Sequence, residues 1–179
     1  MCQNDEKEVH LYNVMFPFWM LIWFPSALWL ILIPLNYLID ALVFWLSARK
    51  TTSLSFPEAL KRSGKICIAG FISDFVGSAL LFLTNYFSGD GWLWKHIGYP
   101  VMWNPFSDVF GFLYTLCAIA VSGLLIYLLD KRILTKQAVL SPEQAKRTAI
   151  HLAVFTAPYT FLIPSSLIYP PPRVPRVIL

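Results

Sequence analysis

The chain has 179 residues, of which 57% are hydrophobic and only 13% charged, and its mean hydropathy is +0.59. A soluble domain carries roughly 25% charged residues, so this composition excludes an ordinary soluble fold and calls for lipid to cover the apolar surface. The formal charge of +4 does not point to nucleic acid, because the basic residues cluster in short loops between apolar runs and no stretch can build the basic face of a soluble module.

Residues 1–13 are polar, and MCQNDEKEVH lacks the positive n-region of a cleavable signal. Val14–Ala48 follows as one apolar run of 35 residues. As a single helix it would reach roughly 50 Å, too long for a hydrocarbon core of about 30 Å. Pro17, Pro25 and Pro34 mark the places where it can break. The expected arrangement is an interfacial N-terminal helix over Phe16–Phe24, with Trp19 and Trp23 at headgroup level, and then a span over 26–47. A hairpin turning at Pro34 is the weaker alternative, since Leu35–Ala48 is short for a crossing.

The first connection, 49–65, carries Arg49, Lys50, Lys61, Arg62 and Lys65 against Glu58 alone. Ser55 and Glu58 have the spacing of a capping box. The second span is 66–87. The stretch 88–108 holds Trp92, Trp94, Tyr99 and Trp103, rings that favour the membrane–water boundary, and is expected to lie on the surface as a loop. The third span is 106–129, with Gly111, Thr115, Ala118 and Ser122 as its small residues. A second basic loop, 130–147, brings Lys131, Arg132, Lys136, Lys146 and Arg147. Ser141 and Pro142 then open a helix as cap and first helical residue, which leads into a fourth span over 147–169. The proline-rich tail is expected to be extended.

The fold expected from this pattern is all-α: a polytopic integral membrane protein, one membrane domain over 1–179, with four transmembrane helices. Four spans put both five-residue basic clusters on one side. The positive-inside rule makes that side cytoplasmic and both termini extracytoplasmic, and a plasma membrane is the natural setting.

Small residues recur at helical spacing. Ala69, Ser73 and Gly77 form one row, and Ala145, Ala149, Ala153 and Ala157 another. Such rows let helices approach closely in lipid, which offers no hydrophobic drive for association. Ionisable residues inside spans are costly and mark candidate functional sites. Two are clear, Asp40 and Asp74, at matching depths on neighbouring antiparallel helices. Asn36 lies one turn from Asp40, Ser73 lies beside Asp74, and His151 enters from the fourth span nearer the surface. Carboxylates with oxygen-bearing neighbours suit a proton or a hard cation. The same acids could instead only fix helix register.

Chemistry-bearing motifs are otherwise missing: the sequence has no GxSxG, HExxH, Walker loop or GxGxxG. Cys2, Cys67 and Cys117 give no CxxC spacing, and His10, His96 and His151 fall on different segments. No metal or cofactor is therefore expected, and enzymatic activity is the least favoured class. Two main function classes follow. The first is a non-enzymatic subunit or partner-binding component of a membrane assembly, its partners being the bilayer and other membrane subunits or a second copy. The second is a small ion- or proton-coupled transporter or channel using Asp40 and Asp74. A membrane-embedded enzyme acting on lipid is a minor third.

Overall fold

A computed structural model describes residues 17–24, 27–49, 51–87, 91–137 and 140–167. The expected extended tail and the polar lead lie outside the described residues. The described elements are helical throughout: α1 Trp29–Ala48, α2 Phe56–Arg62, α3 Gly64–Phe82, α4 Tyr99–Trp103, α5 Val109–Lys136 and α6 Pro142–Phe155. Short 3-10 turns at Phe18–Ile22, Leu83–Phe87, Tyr159–Leu162 and Ser165–Leu167 join them. Three segments are long and apolar enough to cross a bilayer: Trp29–Ala48, Gly64–Phe87 and Val109–Lys136.

α1 runs unbroken through Pro34, the sixth residue of the helix. One missing amide bond this close to the helix start is tolerated, and the hairpin alternative is thereby excluded. α2 begins with the expected cap, Ser55 donating its backbone N–H (3.0 Å) and its hydroxyl (2.8 Å) to the Glu58 carboxylate. Those two bonds hold the Glu58 carboxyl below its ordinary acidity range. The Tyr37 hydroxyl donates to the Leu60 carbonyl and so ties α1 to α2. At the joint to α3, the Ser63 hydroxyl donates to the Ala59 carbonyl (2.8 Å) while the Ser63 carbonyl accepts from the Cys67 amide (2.8 Å).

α3 and α5 form the central pair. Gly77 is where they come closest: a Cβ there would lie 2.2 Å from Ser122 Oγ and 3.1 Å from the Ala118 carbonyl oxygen. The Ser122 hydroxyl donates to the Ser73 carbonyl across the same contact (2.7 Å). Small side chains on both helices permit this approach.

The core has two ends. Near the basic connections, Phe44, Ala48, Ala59, Ile66, Ile126 and Leu152 pack together. Near the aromatic segment, Trp19, Leu81, Val101, Ala118, Ile119 and Phe161 do so. Segment 142–167 touches both. α6 contributes Ala145, Ala149 and Leu152 to the first cluster. After Pro158 the chain contributes Phe161 to the second, and the Ser165 hydroxyl donates to the Met102 carbonyl (2.9 Å).

Four expectations change. The fourth passage is not one continuous helix, because α6 stops at Phe155 and Pro158 and Pro164 remove the amides that would extend it. Trp19 is no surface anchor: it is only 3% exposed, and its indole N–H donates to the Val101 carbonyl (3.3 Å). The aromatic stretch is largely helical, with a wide turn at Trp94–Gly98 leading into α4. Finally, α5 continues past residue 129 to Lys136, which takes Asp130 out of the expected loop and into the helix.

α5 starts at Asp108, whose carboxylate accepts from the Phe110 amide (2.8 Å) and meets His96 Nδ1 at 2.6 Å. The His96 contact, followed by the Phe110 bond, holds the Asp108 carboxyl below its ordinary range. His96 in turn stacks at 4.9 Å on Trp92. Gly111 is required just beyond, since a Cβ there would lie 2.4 Å from Pro100 Cβ.

Candidate functional site

Asp40 lies eight residues before the end of α1 and Asp74 ten residues after the start of α3, so they sit roughly 12 and 15 Å from the basic-loop ends of their helices. The facing surface on α3 is Gly70. A Cβ there would be 3.8 Å from Asp40 Oδ2 and 4.0 Å from Asn36 Nδ2. Both polar groups of α1 thus lie against α3 at Gly70. Asp74, one turn further along α3, is within electrostatic reach of Asp40.

A third acid belongs to the group. Asp130 on α5 is 1% exposed and also within electrostatic reach of Asp40. Asp40 is thus within electrostatic reach of both Asp74 and Asp130, and the three acids come from three different helices. Cys67, buried on α3, is near both Asp40 and Asp74. Among the described residues none of the three carboxyls forms an ion pair. Asp40 Oδ2, Asp74 Oδ1 and both oxygens of Asp130 are buried without a hydrogen-bond partner. Unsatisfied polar atoms in a core cost about 1–3 kcal/mol each, so their clustering calls for a reason beyond packing.

The break in the fourth segment lies at this site. α6 ends beside Asp40, where the Thr156 side chain reaches the Asp40 carboxyl. The Thr156 hydroxyl and amide both donate to the Leu152 carbonyl (2.8 Å each). A helix end of this kind presents the negative pole of its dipole, which favours a proton or cation nearby.

Two hollows adjoin the helices. The first, about 210 Å³, lies between the Phe18–Ile22 turn, α1, α3 and the Pro158–Phe161 stretch; Asn36 and Asp74 open into it. The second, about 580 Å³, lies between the end of α1 and α6 and holds Ser47, Arg147 and His151.

Of the residues expected at an ion or proton site, Asp40 and Asn36 lie against Gly70, and Asp74 is within electrostatic reach of Asp40. Ser73 turns to α5: its hydroxyl donates to the Ala69 carbonyl (2.8 Å) and its own carbonyl accepts from Ser122. His151 sits in the second hollow, 2.9 Å from Ser47 Oγ. The small rows face inward. Ala69, Ser73, Gly77, Ala145 and Ala149 are buried, while Ala153 and Ala157 are partly covered and lie against Gly123 of α5. Asp130 escaped the sequence reading because it was assigned to a loop. Its signal was there: the small row Thr115, Ala118, Ser122 continues in steps of four through Ile126 to Asp130 and Leu134, all buried.

Among the described residues no three His, Cys, Asp or Glu side chains are spaced to hold a metal ion. The chain matches no family model, no curated protein and no solved structure. Its function is therefore argued from these residues alone.

Proposed function

We propose that this chain is a small membrane protein that translocates protons along Asp74, Asp40 and Asp130. The observation that carries the reading is the cluster itself: the buried Asp40 and Asp130 and the half-buried Asp74, on three helices, with oxygens lacking partners and, among the described residues, no ion pair. Carboxyl chains inside membrane proteins serve as proton relays and are too costly to keep without a use. The interrupted fourth segment supports the same reading, since broken helices at ion sites are a recurring transporter device.

In the proposed topology α1, α3 and α5 are three passages, and α6 with the turns after Pro158 makes the fourth. The connections bearing Lys61 and Lys136 are then both cytoplasmic and the aromatic segment extracytoplasmic. Asp74 faces the hollow toward the aromatic end. Asp130 lies six residues before the end of α5 and is the acid closest to the basic side. The proton, which can move between single carboxyls one at a time, is the cargo that fits acids on separate helices. The partner-subunit reading stands second, because the small rows that would serve a partner are used mainly within the chain.

The test is purified protein in liposomes loaded with a pH-sensitive dye, with a potassium diffusion potential as the driving force. Wild-type protein is expected to acidify or alkalinise the lumen according to the sign of the potential. Asp40→Asn, Asp74→Asn and Asp130→Asn should each reduce that flux at least tenfold. A response no larger than that of empty vesicles, or three variants that all keep the wild-type rate, would overturn the reading.

A further inference from the structure

The hollow at Asp74 differs in character from the acid cluster behind it. Its wall includes Trp19, Trp29, Phe71 and Phe161, together with aliphatic residues of α1. The two indole N–H groups are already committed, Trp19 to the Val101 carbonyl (3.3 Å) and Trp29 to the Leu21 carbonyl (3.0 Å). Neither tryptophan has a free donor; the half-buried Trp29 offers ring surface, while Trp19, only 3% exposed, closes the wall. The polar groups of the wall are Asn36, Asp74 and Thr160, and no Lys, Arg or His among the described residues lines it. Asp74 Oδ1 is buried and lacks a partner.

The open side also matters. Leu32, Ile33 and Leu35 line the hollow and are themselves exposed on α1, on a helix apolar enough to face hydrocarbon. A molecule entering there comes from lipid and must be lipophilic. Once inside it meets the half-buried rings of Trp29 and Phe71, which attract cations, and the half-buried Asp74 carboxyl. An anion would meet the amide of Asn36 and the hydroxyl of Thr160 but also the Asp74 carboxyl, and no cationic group among the described residues of the wall. A neutral apolar molecule would fill the space but leave the charge of an ionised Asp74 uncompensated.

We infer that the hollow between α1, α3 and the Pro158–Phe161 stretch is a binding site for a small lipophilic cation, an aromatic or alkyl ammonium ion, held by Asp74 and the surrounding rings. This deepens the proton-relay reading and rests on it for the link to transport: Asp74 holds either a proton or the ammonium ion, and the proton it gives up leaves through the other carboxyls to water. The volume of about 210 Å³ suits a ligand with a single ring and a compact head. Ligand pockets of this kind are mostly apolar, with few placed polar groups.

The probe is benzyltrimethylammonium, compared with neopentylbenzene, its uncharged carbon isostere, by equilibrium dialysis of the full chain in detergent micelles with protein-free micelles as blank. Wild-type protein should bind the cation saturably and at least tenfold more tightly than the isostere. Asp74→Asn should weaken cation binding at least tenfold and leave the isostere unchanged. Ile33→Phe, which fills the mouth without touching an acid, should weaken both ligands and guards against misfolding of the Asp74 variant. Equal affinity for cation and isostere, undiminished cation binding in Asp74→Asn, or no saturable binding by wild type would each overturn the site. The two proposals fail separately: selective cation binding without proton flux removes the relay, and flux without selective binding removes the cation site.

Discussion

Gly77→Ala tests the α3–α5 contact on which the placement of Asp74 depends. The added methyl carbon would sit 2.2 Å from Ser122 Oγ, 3.0 Å from Phe161 Cε2 and 3.1 Å from the Ala118 carbonyl oxygen. Rotating the Ser122 hydroxyl relieves only the first contact, and it breaks the 2.7 Å bond to the Ser73 carbonyl. The other two atoms are a packed ring and a backbone oxygen, so the helices must separate by some tenths of an ångström. Overpacking of this kind costs about 1–3 kcal/mol, and a membrane hydrogen bond about 0.6 kcal/mol more. Gly77→Ala is therefore expected to lose about 2 kcal/mol. Ser122→Gly alone should lose about 1 kcal/mol, through helix propensity and the lost bond. Together the two should lose less than their sum, because the 2.2 Å clash is gone; a coupling of 0.5 kcal/mol or more is the expected signature. The assay is equilibrium unfolding in mixed micelles with rising dodecyl sulfate, followed by tryptophan fluorescence. A single variant within 0.5 kcal/mol of wild type, or strict additivity in the pair, would refute the close approach of α3 and α5 at Gly77.

Asp130→Leu should raise stability by about 1–3 kcal/mol, since both carboxyl oxygens it removes are buried without partners, while proton flux falls; the same unfolding assay and the liposome measurement check the two halves. Lys61→Cys and Lys136→Cys, introduced one at a time into a chain lacking its native cysteines, should be labelled by an impermeant maleimide from the same side of the membrane, and opposite-side labelling would break the proposed topology. At Asp108 the folded carboxyl ionises below its ordinary value of 3.8. The stabilisation this brings is complete above 3.8 and is lost as pH falls through the lower folded value. Acid should therefore loosen the start of α5 and change the emission of Trp92, which stacks on His96, and Asp108→Asn should remove that acid-dependent change.

Hydropathy and proline positions were enough to outline α1, α3 and most of α5, because a span is defined by length and apolar content alone. The caps at Ser55 and Ser141 were legible for the same local reason: each needs only four residues, and in the second Ser141 Oγ accepts from the Gln144 amide (3.3 Å). The pairing of Asp40 with Asp74 was legible from depth, since one short connection fixes two antiparallel helices at a common level. Three things lay beyond that reach. Trp19 was read by its residue type as a boundary ring, but its burial depends on a recess formed by segments more than 80 positions away. Asp130 sits where charge density suggests a loop, and only the buried row along α5 shows that the helix goes on. The end of α6 depends on Pro158 and on what the next turns can pack against, which is tertiary information.

α1 supplies Asn36 and Asp40, yet most of its surface is exposed. Leu30, Ile31, Leu35, Leu38 and Leu42 are all open along its length. It is the helix through which the bilayer acts on the site. A change in hydrocarbon thickness is met by tilt of the least embedded helix, and tilting α1 swings Asp40 relative to Gly70 and Asp74. Under the proposed relay, lipid chain length would set how far apart the carboxyls stand, and proton flux should differ between thin and thick membranes.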